Sequence, residues 1–280
     1  MEIILAKTAG FCMGVKRAMQ MALKTAKASP DKVFTCGPLI HNPQAVEYLK
    51  ENGVESMKNW QTLETGTLII RAHGMPAAEI EEMKQRGFAI VDATCPHVVT
   101  SQKQIRKYSD KGYQIVIIGD QDHPEILSLQ SFAPAERCRV ISSAEQAKNL
   151  ELNGKVMVIA QTTFNAEEFK QIADAIAAGN PETVICNSIC QATSDRQQEI
   201  MKLASQVEAV VVVGGKSSAN TRRLAEIAAS LCPRTYHVET AKELENVDFH
   251  SLKTCAVTAG ASTPDFITDQ VIEYLKNHSR

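Results

Sequence analysis

The sequence predicts an α/β fold: three similar domains with mainly parallel sheets in a pseudo-threefold arrangement around a central site. Two observations predict it. An apolar run, a cysteine and a helical segment follow one another at three places in the chain. A second apolar run that ends in glycine then comes at nearly the same distance after each cysteine. Alternating strands and helices build parallel sheets, and ligands collect at the carboxyl ends of their strands.

Composition narrows the class of protein. The chain has 280 residues, 44% of them hydrophobic, which is enough for two or three small domains. A net charge of −2 argues against a broad nucleic-acid or anionic-membrane surface, so an anionic substrate would need a local site. The start lacks the apolar core of a signal peptide, and we expect a cytoplasmic protein. Its eight cysteines are then available for metal binding or catalysis rather than for disulfides.

The first repeat begins with the strand-like run 3–6 and continues through a turn that contains Cys12. A helical pattern follows over 15–27. Cys12 is therefore expected at a strand-to-helix turn, where the helix N-terminus favours the thiolate that binds metal. A cysteine at such a turn is also often a small buried hydrophobe, and the other repeats decide between the two interpretations.

Cys95 has the same place in the second repeat. It follows the strand-like run 88–91 and precedes Pro96, which suits the first turn of a helix over 98–111. In both repeats the next apolar run ends in a glycine, Gly37 after Cys12 and Gly119 after Cys95. The separation between cysteine and glycine differs by a single position, so the two repeats are in register.

Cys190 continues the register in the third repeat. It follows the run 183–189 and precedes a helix over 194–205. Its separation from Gly214 equals that between Cys95 and Gly119. Counting from Cys186 makes the separation longer and breaks the register, so Cys190 is the candidate. Strand–glycine–helix patterns are common in α/β proteins, but matching offsets in three repeats favour a true repeat over chance.

Polar residues lie where the repeats would bring strand ends together. One set stands four residues past each glycine, and a second set follows the last buried strand of each repeat. The first set is His41, His123 and Ser218; the second is His73, Thr162 and Ser262. We expect these residues to surround the three cysteines. The predicted domains are residues 13–95, 96–189 and 190–280, with residues 1–12 adding a strand to the third.

Three thiolates without a fourth suit two kinds of metal centre. One is an iron–sulfur cluster with an open iron or with only three irons; the other is zinc with an open water position. The remaining cysteines are interpreted as structural. Of these, Cys36, Cys186 and Cys255 are expected in buried strands, and Cys138 and Cys232 in linking segments.

One acid stands where proton delivery would need it. In His123-Pro124-Glu125, proline makes the turn rigid, and Glu125 beside a metal-bound substrate could deliver a proton. From local sequence alone, a plain first-turn glutamate of the helix that starts there is an equal alternative.

Eight motifs, in order from Ala9 to Ser262, resemble the 4-hydroxy-3-methylbut-2-enyl diphosphate reductase family, which ends the methylerythritol phosphate route to isoprenoids. They are Ala9-Gly10-Phe11-Cys12-x-Gly14-Val15, Gly37-Pro38-Leu39-Ile40-His41-Asn42, Arg71-Ala72-His73-Gly74, Asp92-Ala93-Thr94-Cys95-Pro96, His123-Pro124-Glu125, Gln161-Thr162-Thr163, Ile189-Cys190-x-Ala192-Thr193 with Arg196-Gln197, and Thr258-Ala259-Gly260-Ala261-Ser262.

The resemblance implies a site and a reaction. An oxygen-sensitive 4Fe-4S cluster would be held by Cys12, Cys95 and Cys190, with one open iron for the substrate's hydroxyl oxygen. The reaction would be a two-electron reductive dehydroxylation to isopentenyl and dimethylallyl diphosphates, with electrons from ferredoxin or flavodoxin. The implied catalytic residues are Glu125 (the proton source), Thr162 and His123. The implied substrate-binding residues are His41, His73, His123, Thr162, Ser218, Asn220 and Ser262.

Two departures from the family pattern accompany the resemblance. Ala219 stands where the family commonly has a second hydroxyl, so one phosphate contact is expected to be lost or supplied by Ser217. The run 120–122 is more acidic than in many members. The choice of Thr162 over Thr163 depends on motif position. An iron–sulfur redox sensor or scaffold on the same fold, and a zinc protein, are the alternative functions.

Overall fold

The structure is a computed structural model that describes residues 1–278. In that range the chain forms twelve strands. They are β1 (Glu2–Leu5), β2 (Val33–Cys36), β3 (Val54–Met57), β4 (Thr67–Ile70), β5 (Ala89–Asp92), β6 (Gln114–Ile118), β7 (Cys138–Ile141), β8 (Val156–Ala160), β9 (Thr183–Cys186), β10 (Ala209–Val213), β11 (Thr235–Val238) and β12 (Thr254–Ala259).

Ten α-helices connect these strands over the same residues. They are α1 (Met13–Ala28), α2 (Pro43–Glu51), α3 (Ala77–Gln85), α4 (Pro96–Ser109), α5 (Pro124–Gln130), α6 (Ala144–Lys148), α7 (Ala166–Gly179), α8 (Gln191–Ala204), α9 (Ala219–Leu231) and α10 (Asp265–His278). Short 3₁₀ helices lie at Trp60–Thr62, Ala135–Arg137 and Ala241–Leu244. No helix in the described part of the chain is long and apolar enough to cross a membrane.

The strands form three four-stranded sheets, and all of their pairings are parallel. The strand orders are β3-β2-β4-β5, β7-β6-β8-β9 and β11-β10-β12-β1. In the third sheet β1 has the edge position that β5 and β9 have in the other two, and its Ile3 lies opposite Cys255 of β12. The shared topology confirms the predicted α/β fold with its threefold repeat.

The interior strands are continuous apolar runs because helices cover both faces of a parallel sheet. Every residue of β8 and β10 is 0% exposed, and the sequences of these strands are Val156-Met157-Val158-Ile159-Ala160 and Ala209-Val210-Val211-Val212-Val213. β-Branched side chains fill such a pleated, buried surface well. These buried strands therefore form a rigid support for the residues that follow their carboxyl ends.

The chain divides into two compact units. The terminal unit comprises Met1–Lys16, Ile40–Tyr48 and the described residues from Gln191 onward; the internal unit comprises Arg17–Leu39 and Leu49–Cys190. The terminal unit holds the third sheet, and the internal unit holds the other two. The three domain boundaries, 13–95, 96–189 and 190–280, stay a prediction, and residues 279 and 280 lie outside the described residues.

Each helix that follows a candidate cysteine begins earlier than its sequence pattern indicated. α1, α4 and α8 begin immediately after Cys12, Cys95 and Cys190, two or three residues before the predicted starts. Cys95 is itself the N-cap of α4, with an extended backbone and Pro96 in the first turn. Periodicity misses such starts because residues of the first turn have little apolar character.

Two structural cysteines lie elsewhere than expected. Cys138 is the first residue of β7 rather than part of a linking segment, and a 3₁₀ turn delivers the chain into that strand. Cys186 does lie in a strand, but it is only half-buried because β9 is the edge strand of its sheet. Cys36 and Cys255 are buried in strands as predicted.

Candidate active site

The three candidate ligand cysteines make the same backbone hydrogen bond in their own sheets. Each cysteine follows an edge strand, and its N–H donates to the carbonyl oxygen of the residue two positions beyond the end of the strand paired with that edge strand, namely β12, β4 or β8. The bonds run from Cys12 to Ala261 (3.2 Å), from Cys95 to Ala72 (2.9 Å) and from Cys190 to Thr162 (3.0 Å). The three cysteines, which have nearly equal spacings to the following glycines in sequence, therefore have equivalent positions in the three sheets.

The glycines of the register are equivalent as well. Each glycine N–H donates to the carbonyl of the last residue of the neighbouring strand: Gly37 to Met57 (2.6 Å), Gly119 to Ile141 (2.8 Å) and Gly214 to Val238 (2.8 Å).

Four residues past the second and third glycines, His123 and Ser218 are the N-caps of α5 and α9. The first repeat has one more residue here. The side chain of Asn42 accepts from the Ala45 N–H (2.9 Å), so His41 precedes the cap.

The candidate thiols are more exposed than four of the five structural thiols, with Cys186 as the exception. Cys12, Cys95, Cys190 and Cys186 are partly exposed, and none of the eight cysteines forms a disulfide. Burial raises the pKa of Cys36 and of Cys255 to about 12 and that of Cys138 to about 11. Burial also raises the pKa of Cys186. These four thiols stay protonated at neutral pH, and a protonated thiol is a poor ligand.

In the internal unit, Glu125 is 1% exposed and paired with Thr162. The Thr162 N–H donates to Glu125 Oε1 (2.7 Å), and the Thr162 hydroxyl donates to Glu125 Oε2 (2.8 Å). The carbonyl of the same Thr162 accepts from the Cys190 N–H. Thr163 is engaged differently, since its hydroxyl accepts from Gln161 Nε2 (3.0 Å). One threonine therefore contacts both the buried acid and a candidate ligand cysteine.

His73 and His123 lie side by side in the same unit. Their ring centroids are 5.4 Å apart, and the rings are nearly perpendicular. His123 Nδ1 accepts from the Glu125 N–H (3.1 Å), which makes the imidazole the cap of α5. An accepting Nδ1 carries no proton, so in the neutral ring Nε2 is the donor. This is the tautomer that would donate to an anion.

Two residues that the sequence analysis does not predict as site residues hold this part of the site. The Ser128 hydroxyl donates to the Met75 carbonyl (3.1 Å) and ties α5 to the loop that follows His73. Gln161, 0% exposed, accepts from the Asp120 N–H (2.9 Å) in the loop before His123. A polar residue directly after an apolar strand is a signal that could have found Gln161; Ser128 offers none.

The terminal unit brings His41, Ser218 and Ser262 together. The Ser262 hydroxyl lies 3.3 Å from the His41 carbonyl oxygen and 3.4 Å from the Ser218 hydroxyl. Ser218 accepts from the Thr221 N–H (3.3 Å) at the start of α9. A Cβ on Gly215 would lie 2.5 Å from the His41 carbonyl oxygen, so only glycine permits this close approach.

Asn220 supplies the clearest sign of a ligand in the terminal unit. The residue is 4% exposed, and neither its side-chain oxygen nor its nitrogen has a hydrogen-bond partner within the described residues. Buried polar groups are almost always hydrogen-bonded, because an unpaired one costs about 1–3 kcal/mol. Lys216, four residues earlier in the chain, pairs through its Nζ with Glu243 and is not a partner of the Asn220 side chain. Hydroxyl and amide groups at a helix N-terminus fit a bound phosphate.

The family model described as "LytB protein" matches residues 3–276. The chain belongs to the LytB protein family.

Relatives of this LytB-family chain cover it almost completely. A protein of Geotalea daltonii is 45% identical over 277 residues, which is 99% of this chain and 98% of the relative. A protein of Pelobacter propionicus is 46% identical over 272 residues, 97% of this chain and 96% of the relative. Both are named 4-hydroxy-3-methylbut-2-enyl diphosphate reductase. These relatives confirm the predicted family and reductase class.

Two solved structures are similar to the LytB-family chain. One is described as (E)-4-hydroxy-3-methyl-but-2-enyl diphosphate reductase, the terminal enzyme of the non-mevalonate pathway; it has a TM-score of 0.72 and 39% identity, with 99% of this chain and 100% of that chain covered. The other is the E-1-hydroxy-2-methyl-but-2-enyl-4-diphosphate reductase of Plasmodium falciparum, with a TM-score of 0.94 and 24% identity, covering 99% and 90%. The second likeness concerns the fold alone.

Proposed function

We propose that the chain reduces (E)-4-hydroxy-3-methylbut-2-enyl diphosphate to isopentenyl and dimethylallyl diphosphates by a two-electron reductive dehydroxylation. The observation that carries this proposal is the buried Glu125–Thr162 pair, whose threonine also accepts from Cys190. An allylic hydroxyl is a poor leaving group unless a proton reaches its oxygen as the bond breaks. The pair is built to supply that proton.

We assign a 4Fe-4S cluster with one open iron to Cys12, Cys95 and Cys190. The donor set fits such a group, because three partly exposed thiols that form no disulfide follow equivalent strands and precede equivalent helices. Three thiolates leave one coordination position open. When bound, the cluster supplies electrons and Lewis acidity. We propose ferredoxin or flavodoxin as the electron donor and the cytoplasm as the location.

The proton route uses Glu125 and Thr162. Both oxygens of Glu125 accept from Thr162, an arrangement suited to the carboxylate form. When Glu125 is protonated, it gives its proton to Thr162 Oγ1 as the hydroxyl passes its own proton to the leaving oxygen. The hydroxyl is regenerated, and Glu125 returns to the carboxylate. Because Glu125 is 1% exposed, bulk water does not compete for this proton.

We assign the diphosphate to six residues with imidazole, hydroxyl or amide donors: His41, His73, His123, Ser218, Asn220 and Ser262. Imidazole, hydroxyl and amide donors together with helix N-termini bind an anion without a lysine patch, which suits a chain of net charge −2. Ala219, the first residue of α9, contributes no hydroxyl, so the phosphate contact expected at this position is lost or supplied by Ser217.

A redox sensor or scaffold would need the thiols alone. Neither the buried Asn220 amide nor the Glu125–Thr162 pair has a use in such a protein. Both features therefore favour an enzyme that binds a polar ligand and delivers a proton.

The proposal is tested by anaerobic purification, iron and sulfide analysis, and turnover of the allylic diphosphate with reduced viologen. We expect wild-type protein to contain iron and sulfide and to convert the allylic diphosphate. The matched pair of variants is Cys190→Ser and Cys186→Ser, four residues apart. Only the first should lose iron and activity. A colourless, zinc-containing wild type, or loss of iron in the Cys186 variant alone, would contradict the proposal.

A further inference from the structure

The loop that leads to Cys12 differs from the loops that lead to the other two candidate ligands. Six residues, 6–11, separate the end of β1 from Cys12. Two residues separate β5 from Cys95, and three separate β9 from Cys190. A longer connection has more conformational freedom to lose before its last residue is fixed. Fixing Cys12 therefore requires more restraint than fixing the other two cysteines.

Helix α8 supplies the first restraint. Glu199 accepts from the Lys7 N–H (2.8 Å), the Thr8 N–H (2.9 Å) and the Thr8 hydroxyl (2.6 Å). Partial burial raises the pKa of Glu199, but the hydrogen bonds from Thr8 and Lys7 outweigh it, and the net direction is downward. Hydrogen bonds to a charged carboxylate are about twice as strong as neutral ones. The first half of the loop is thus held at three points by one side chain.

Arg196, three residues earlier on the same helix face, supplies the second restraint. It is 5% exposed, and its Nη2 donates to the Gly10 carbonyl oxygen (2.7 Å), two residues before Cys12. Gly10 has φ +89°, and a Cβ there would lie 2.6 Å from Asp265 Oδ1. The backbone conformation at position 10 therefore requires glycine. The buried guanidinium of Arg196 holds that backbone in place.

We propose that Glu199 and Arg196 are positioning residues that hold the Cys12 thiol where it serves as a ligand. We call this pair of residues the clamp. The inference rests on the proposed function, in which Cys12 binds the cluster. Without the clamp, residues 7–11 open more often, and Cys12 is the first ligand to be lost. The clamp acts on the loop mainly through its backbone N–H and carbonyl groups.

The test uses cluster-loaded protein under anaerobic conditions. The variants are Glu199→Ala, Glu199→Gln and the matched control Asp195→Ala, which removes an exposed carboxylate of the same helix that accepts from Gln191 within that helix. One readout is amide hydrogen exchange, resolved for residues 9–12 and, as an internal control, for 89–95. The second is the rate of iron release to a chelator.

We expect Glu199→Ala to speed both exchange at 9–12 and iron release by about tenfold, because charged hydrogen bonds are lost. Exchange at 89–95 should not change, and Asp195→Ala should behave as wild type. Glu199→Gln keeps an acceptor oxygen and should lie between the two; it also serves if the alanine variant does not fold. Arg196→Met should also speed exchange at 9–12 and iron release. Arg196→Lys keeps the positive charge and should restore most of the wild-type rates.

The outcomes separate this inference from the proposed function. If wild type contains no iron, the proposed function fails. If wild type contains iron and faster exchange in the Glu199 variants is confined to residues 7 and 8, with iron released at the wild-type rate, the positioning role is overturned while the function stands.

Discussion

At the scale of single residues, some polar groups of the site stabilise the fold, and others have no hydrogen-bond partner within the described residues and are assigned to the ligand. Asn42 and Asn220 are both buried asparagines of the terminal unit, 1% and 4% exposed. Asn42 caps α2 through the Ala45 N–H, whereas neither side-chain polar atom of Asn220 has a partner within the described residues. The two asparagines should therefore respond oppositely to the same substitution.

Asn220→Ala is expected to raise KM about tenfold with little change in Tm. The substitution removes one ligand hydrogen bond but no hydrogen bond within the described protein. Asn42→Ala should instead lower the free energy of unfolding by about 1 kcal/mol, since it removes a helix cap. Steady-state kinetics and thermal unfolding measure both effects. A large loss of stability in Asn220→Ala with unchanged KM would show that Asn220 is structural.

At the scale of elements, α5 joins a structural role to a chemical one. The helix has seven residues and begins with His123 as its cap and Pro124 and Glu125 in its first turn. The two sequence interpretations of Glu125, first-turn glutamate and proton source, are thus not exclusive. Its carboxylate lies at the helix N-terminus and is also bound by Thr162. So short a helix depends on its cap to hold Glu125 in place.

Substitutions of His123 should separate the two roles. His123→Ala removes the acceptor for the Glu125 N–H and should cost about 1 kcal/mol of unfolding free energy. His123→Asn replaces it with a good capping residue and should restore stability, but it should not restore turnover, because the Nε2 donor is absent. Urea unfolding and turnover are the measurements. Full activity in His123→Asn would contradict the assignment of the ring to the substrate.

Sequence patterns predict these elements well where the information is local. The offsets from Cys12, Cys95 and Cys190 to their glycines predict equivalent strand ends, and backbone hydrogen bonds confirm them. The clamp on the Cys12 loop is different, because Thr8 and Glu199 are 191 residues apart and neither carries a local signal. The starts of α1, α4 and α8 differ from the predicted ones because each helix begins directly after its cysteine, and apolar periodicity is weakest in a first turn.

At the scale of the whole molecule, buried thiols link stability to alkaline pH. The pKa of Cys36 and of Cys255 is raised to about 12 by burial, against an ordinary value near 9.0. Below pH 9 both states keep the proton and stability is full. Between pH 9 and 12 only the unfolded chain loses it, so stability falls as pH rises.

We expect each of these thiols to cost about 1 kcal/mol of unfolding free energy at pH 10 relative to pH 8. Urea unfolding of reduced, anaerobic protein at the two pH values measures the change. Lysines and tyrosines add their own slope, so the control is Cys255→Ala, which should show a shallower pH dependence than wild type whatever its stability at pH 8. An unchanged slope would mean that Cys255 titrates in the folded protein.

The account depends most on the proton that Glu125 delivers. The decisive measurement is kcat of Glu125→Gln with reduced viologen at matched iron and sulfide content, beside Glu136→Gln, an exposed glutamate in a 3₁₀ turn of the same unit. We predict that kcat of Glu125→Gln falls by roughly 10²–10⁴-fold with the cluster retained, and that Glu136→Gln matches wild type. Wild-type kcat in Glu125→Gln would contradict the account.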